Sequence, residues 1–161
     1  MRAAMLTTIW VSLACFVAGE AGKTRYRQRA VEPRWAWAVW CLGLVACVVH
    51  ILIAMAYRHG WSHQSAVMET TRQTAEVYGV AWGGGLYVNY LFVAVWLAEL
   101  VWWRSSPRRY FQQPPWMRWA LRSFYLVIVL NAAVIFAAPD RRLAGVAVTA
   151  ALVGAWIWRA C

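Results

Sequence analysis

Residues 35–57, WAWAVWCLGLVACVVHILIAMAY, run without a single Lys, Arg, Asp or Glu. A helix needs about 20 mostly apolar residues to cross the hydrocarbon of a bilayer, so this stretch is long enough to span with some tilt. Similar apolar runs recur at about 3–18, 79–103, 119–138 and 143–158. The pattern predicts an all-α fold: a polytopic membrane helix bundle with five transmembrane helices, or four if the short last run does not cross. The whole chain, 1–161, reads as one integral membrane domain. With 63% hydrophobic and 14% charged residues, a soluble domain is excluded. The first run resembles a signal peptide in having only Arg2 before it. However, Lys23, Arg25, Arg27, Arg29 and Arg34 follow it directly, and such a cluster resists translocation, so a first span is expected.

The formal charge of +10 would suggest nucleic acid in a soluble chain. In a membrane protein it is explained by basic residues retained in cytoplasmic loops, and nucleic acid is not an expected partner. Basic residues concentrate between Lys23 and Arg34 and again between Arg104 and Arg118, whereas the other connections hold only Arg58, Arg72, Arg141 and Arg142. This asymmetry predicts an outside N-terminus and a cytoplasmic C-terminus in a bacterial inner membrane. Trp35, Trp37, Trp40, Trp102, Trp103, Trp116, Trp119, Trp156 and Trp158 then fall at inner helix ends, as an aromatic belt requires. Pro33 marks the start of the second span, Pro139–Arg142 reads as a tight turn, and Arg159 ends the fifth span.

The stretch from Arg58 to Tyr90 departs from this plan. It holds two of the three histidines, two of the six acids and the triple glycine Gly83, Gly84 and Gly85. Residues 58–78 are polar enough for a surface. Ser62 or Ser65 can cap a helix there, and Glu69–Gln73 and Arg72–Glu76 are spaced for side-chain pairs. Val67, Met68, Ala75 and Tyr78 give it a weak apolar side. A short amphipathic helix on the outer face is expected, folded over a glycine-lined head of the third span where the backbones can approach closely. Thr71 is expected to face elsewhere on that helix. The connection is about twenty residues, while helix–helix loops are commonly 2–8.

Polar side chains in the spans need partners. Glu99 reads as the only acid inside a span, and Arg122 on the next helix lies at a similar depth by helical rise, so the two are expected to form a structural ion pair. His50, Asn89 and Asn131, with Tyr87 and Tyr90 near, fall at comparable heights in the opposite half. They predict either an interhelical hydrogen-bond cluster or a polar pocket opening outward.

His59 and His63 have the HxxxH spacing that aligns two imidazoles on one helix face, but a zinc or iron site needs at least a third protein ligand. His50 could ligate haem only if a second histidine reached it. Cys15, Cys41, Cys47 and Cys161 include no CxxC pair and read as packing residues. GxGxxG, P-loop and GxSxG motifs do not occur. The expectation is therefore a non-enzymatic scaffold or accessory subunit, with the lipid bilayer and other membrane proteins as partners and no cofactor. Two alternatives stand beside it. One is a haem- or metal-binding redox protein using His50, His59 and His63; the other is a small transporter or channel with an outer polar vestibule.

Overall fold

The structure, a computed structural model, describes residues 2–29 and 34–157. Pro33, Trp158, Arg159 and Cys161 lie outside the described residues. Among the described residues the fold is all helical. Helix α1 spans Arg2–Arg29, α2 Arg34–Arg58, α3 His63–Tyr78 and α4 Gly85–Ser105. Helix α5 is the short Pro107–Phe111, α6 is Pro115–Leu130 continued by a π-helical turn Asn131–Ile135, and α7 is Pro139–Ile157. Four segments are long and apolar enough to cross a membrane: Ala3–Arg27, Trp35–Arg58, Gly85–Ser105 and Pro115–Ile135. A helix pairs its backbone groups within itself, as hydrocarbon demands. Helix α7 is not among the four, because its first turn carries Asp140, Arg141 and Arg142.

The boundaries shift in ways the local chemistry explains. Helix α1 does not stop near residue 18 but continues through the basic segment. Residues 19–29 contain no proline, and Glu20 and Lys23 turn inward to partners on other helices. Helix α4 starts at Gly85 instead of residue 79. Gly79 ends α3 in the left-handed region at φ 72°, its N–H bonded to the Ala75 carbonyl at 2.9 Å, which is a common helix stop. Pro115 and Pro139 sit at the first turns of α6 and α7, where the missing N–H costs nothing. Both helices therefore begin earlier than the apolar runs do, and Pro139–Arg142 is a helical turn, not a loop.

The long helices run up and down, so the bundle has an α3 end and an α5 end. Small residues set how closely they pack. A Cβ on Gly22 would lie 2.3 Å from the Ala36 Cβ, and one on Gly19 would lie 2.4 Å from the Trp40 ring, so α1 and α2 touch almost backbone to backbone. Gly145 of α7 is tighter still: its Cβ would fall on the carbonyl oxygen of Ala133 in the π-helical turn. The core between these contacts is aromatic. Phe16 lies 4.7 Å from Trp40, 4.8 Å from Trp96 and 5.1 Å from Tyr125, centroid to centroid. Trp40 and Trp103, expected in an interfacial belt, are instead fully buried in this core: Gly19 leaves room for the Trp40 indole, and Trp103 packs between Tyr110 and Phe111 of α5. Trp35, Trp116 and Trp119 are exposed.

Gly145→Ala should therefore destabilise the bundle by roughly 1–3 kcal/mol, since the obstacle is a backbone carbonyl that cannot rotate away. Gly154 has nothing within 4 Å of the same position, and Gly154→Ala should be neutral or stabilising by about 0.4–1 kcal/mol. Detergent unfolding of the two variants reads the difference; equal stabilities would mean that α7 does not pack on the π-helical turn.

Candidate functional site

A buried charge cluster occupies the α5 end. Glu20 and Lys23 are three residues apart on α1 and so share a face. The Lys23 Nζ lies 2.8 Å from Glu20 Oε1 and 3.5 Å from Glu99 Oε2 on α4. It also stands 3.3 Å above the centroid of the Trp40 ring on α2, a cation–π contact made stronger by desolvation. The second Glu20 oxygen accepts the Trp156 indole N–H of α7 at 2.7 Å. Glu99 accepts hydrogen bonds from Tyr110 on α5, at 2.6 Å, and from Tyr125 on α6. Each carboxylate thus has a counter-charge and neutral donors, the condition under which a buried ion pair is tolerated. Burial first, then the Glu99 charge, push the Tyr110 phenol well above its ordinary pKa, so Tyr110 remains a donor across the physiological range.

Around this centre lies a second layer of arginines. Arg122 donates from Nη2 to the Thr24 hydroxyl at 3.3 Å and sits 5.3 Å from the Trp156 ring. Arg27 lies 5.8 Å from the Phe111 ring. Together with Arg118 and the buried Gln113 they border a cavity of about 20 Å³ that reaches inward to Glu20 and Glu99. A single water needs roughly 10–15 Å³ measured this way, so the cavity is water-sized.

The cation paired with Glu99 is therefore Lys23, and the expected Glu99–Arg122 pair does not form. Depth matching identified the right layer but omitted a third helix, whose shorter reach to Glu99 displaces Arg122. Nor is Glu99 the lone buried acid; Glu20 matches it. The signal for Glu20 and Lys23 was their three-residue spacing in a segment without a helix breaker. Tyr110 was hidden in an apparent loop.

The expected polar pocket is dispersed. His50 bonds through Nδ1 to the Met5 carbonyl at 2.9 Å, with Thr8 Oγ1 at 3.4 Å, and so ties α2 to α1. Asn131 accepts from the Tyr78 hydroxyl at 2.5 Å at the C-terminus of α3 and donates to the Val127 carbonyl. Tyr87 and Tyr90 flank His63 at 3.3 and 3.4 Å, while Asn89 is exposed. His50, Asn131 and the two tyrosines therefore serve different helix pairs, each bonded to a partner outside the expected group. His59 and His63 do not share a helix face either: Gly60 and Trp61 adopt φ 53° and 61°, which ends α2 and breaks the HxxxH register. Among the described residues no three His, Cys, Asp or Glu side chains gather in a metal-binding group.

Helix α3 caps the other end. Ser62 is its N-cap, accepting the Ser65 N–H at 3.2 Å. Ala66 and Thr74 are buried beneath it, whereas Met68 points away from the bundle. A Cβ on Gly83 would sit 2.7 Å from Thr71 Oγ1 and 2.8 Å from Val67 Cγ1; one on Gly85 would sit 3.1 Å from Thr70. Thr71 thus faces the glycines directly and does not face elsewhere. Gly84 instead makes room for the Trp82 indole. On the solvent side, Glu69 takes Arg72 at 2.7 Å and Gln73 at 2.7 Å, and Arg72 also reaches Glu76 at 2.5 Å.

Comparison with known proteins finds no family model, no curated protein and no solved structure that matches this chain.

Lys23→Met should destabilise the bundle on the order of 3–5 kcal/mol, because it leaves Glu20 and Glu99 buried without their cation, whereas Glu99→Gln leaves Lys23 paired with Glu20 and should cost about 1–3 kcal/mol. The double variant should cost less than the sum of the singles, while Glu99→Gln with Arg122→Gln should be close to additive. Chemical unfolding of the set reads the coupling, and additivity of the Lys23 pair would remove the cluster as a unit.

A pH dependence follows at α3. The hydrogen bonds from Arg72 and Gln73 hold the Glu69 carboxyl down to about 2, against an ordinary value of about 4.3. A depressed carboxylate stabilises fully above its ordinary range and loses that contribution as pH falls toward the folded value. The pairs are exposed, so the effect is at most about 1 kcal/mol. A fluorophore at Gln64→Cys should gain mobility in wild type as pH falls from about 4 towards 2. Glu69→Gln should flatten the response; an unchanged response would exclude Glu69 as its source.

Proposed function

We propose that this chain is a non-enzymatic scaffold or accessory subunit of a larger assembly in the bacterial inner membrane. One observation carries the reading. The buried carboxylates Glu20 and Glu99 are paired with Lys23 inside the bundle, whereas α3 lies over the glycine-lined head of α4 and exposes a polar, ion-paired face beside Trp61, Trp82 and Met68. Exposed aromatic and methionine side chains next to fixed charges are the composition of a protein-contact surface. In this reading α7 is a fifth crossing. Its nineteen residues rise about 1.5 Å each, and it meets the π-helical turn near one end and Glu20 at the other. The α3 end then faces outward and the arginine-rich α5 end inward.

A second reading, a small transporter or channel, is favoured by the buried Lys23–Glu20–Glu99 cluster, since ionisable groups within spans commonly mark ion or proton paths. Proton flux in vesicles that is lost in Glu99→Gln would favour it over the scaffold.

Two measurements test the leading reading. In a background without native cysteines, Gln64→Cys should react with an impermeant reagent in intact cells and Ser105→Cys should not. The reverse pattern overturns the orientation. Gly83→Leu forces a side chain into Thr71 and Val67 and should lift α3. The variant should still insert and keep its helicity, yet lose a membrane protein that co-purifies stoichiometrically with wild type. Full retention of that partner would place the contact surface elsewhere.

A further inference from the structure

The arginine layer of the α5 end has an imbalance that the charge cluster does not resolve. Lys23 is committed to Glu20 and Glu99. Arg27, Arg118 and Arg122 border the same cavity, repel one another, and among the described residues have no carboxylate at ion-pair distance. Four cations therefore face two carboxylates. Nε and Nη1 of Arg27 are buried without a hydrogen-bond partner, as is Oε1 of Gln113, a residue only 6% exposed. Guanidinium N–H groups removed from water without an acceptor are costly, and orphan groups of this kind mark the place of an absent partner.

We propose that the cleft bounded by Arg27, Gln113, Arg118 and Arg122 binds a phosphate-class oxyanion, the chemistry shared by phospholipid headgroups and free phosphate. Guanidinium forks from two helices offer several N–H donors in fixed planes, which match oxyanions bearing more than one acceptor oxygen. The amide of Gln113 joins as a donor, since its oxygen and nitrogen can exchange places by a simple flip. The inner cavity of about 20 Å³ admits one oxygen, leaving the rest of the anion at the mouth between Arg118 and Arg122. Arg118 and Arg122 belong to the N-terminal half of α6, which also carries the exposed Trp116 and Trp119, the latter 5.5 Å from the Arg122 guanidinium. Basic pockets between helix ends at this depth are suited to anionic headgroups.

The test uses the full chain in a neutral detergent and reads binding by titration calorimetry. One arm adds inorganic phosphate; the other adds short-chain phosphatidylglycerol, against phosphatidylcholine of equal chain length. Saturable binding that prefers phosphatidylglycerol assigns the site to a lipid headgroup, and saturable phosphate binding without that preference assigns it to the free anion. Either supports the site, and saturation by neither ligand overturns it. Arg118→Gln should weaken binding at least about tenfold, the loss of one charge-assisted contact. Gln113→Glu, which puts a negative charge at the cleft, should do the same. Arg109→Gln removes an exposed charge from the same end and should leave affinity unchanged. Circular dichroism checks that each variant is folded. Undiminished binding in folded Arg118→Gln or Gln113→Glu, or an equal loss in Arg109→Gln, would reduce the effect to general surface charge and overturn the proposal.

Discussion

The ammonium of Lys23, held between two carboxylates and over an indole, is the contact on which the helix arrangement depends. An isolated charge in a low-dielectric interior is prohibitive, and a pair is tolerated only with good geometry and further donors. Glu20 and Lys23 come from α1, Glu99 from α4, the indoles from α2 and α7, and the phenols from α5 and α6. No subset of these helices satisfies the cluster. Apolar packing in lipid gives little direction, because tails are as greasy as leucine; the cluster supplies direction by requiring every helix except α3 at one depth. Even α5, too short to be stable alone, is held because Tyr110 must reach Glu99.

Glycine contacts act on a different variable, the distance between helices. Gly19 and Gly22 bring α1 onto α2, Gly145 brings α7 onto the π-helical turn, and Gly83 admits α3 over α4. The π-helical turn at Asn131–Ile135 fits this scheme. It leaves the Ala133 carbonyl in the path of α7, and only a residue without a Cβ can pass it. The same region places Asn131 under the Tyr78 hydroxyl, so one irregular turn receives both α3 and α7.

The spans were legible where the determinant was local. Residues 35–57 carry their own hydrophobic length, and α2 occupies Arg34–Arg58. The Ser62 cap and the Glu69–Gln73 and Arg72–Glu76 pairs of α3 were equally plain, since each lies within one turn. What escaped the sequence depends on three or more helices at once. Matching depths paired Glu99 with Arg122 because the comparison took two helices at a time, while the answer came from α1. The basic run from Lys23 looked like a loop because charge was read as exposure. Its inward face became visible only when Glu20 and Lys23 were placed opposite Trp156 and Glu99. Residue counting puts His50, Asn89 and Asn131 at one height, but which neighbour each faces is not fixed by counting from a helix end, and the structure gives them separate surroundings.

The two ends of the bundle thereby divide the chemistry. At the α5 end Glu20, Lys23 and Glu99 are buried, paired with one another and surrounded by rings, so moving any one of them disturbs the rest; this is the behaviour of a fixed frame. At the α3 end the ion pairs lie on the solvent side and contribute little individually. The grip there comes from Ala66 and Thr74, the absence of side chains at Gly83 and Gly85, and exposed polar contacts of Glu69 with Arg58, Tyr78 with Asn131 and His63 with Tyr87 and Tyr90. A helix held by shape over glycine and by exposed polar contacts can be displaced without breaking a buried pair. Under the proposed scaffold function, contact with a partner is placed at the α3 end. The α5 end, with unpaired guanidiniums at its rim, is suited to bind an anion without moving.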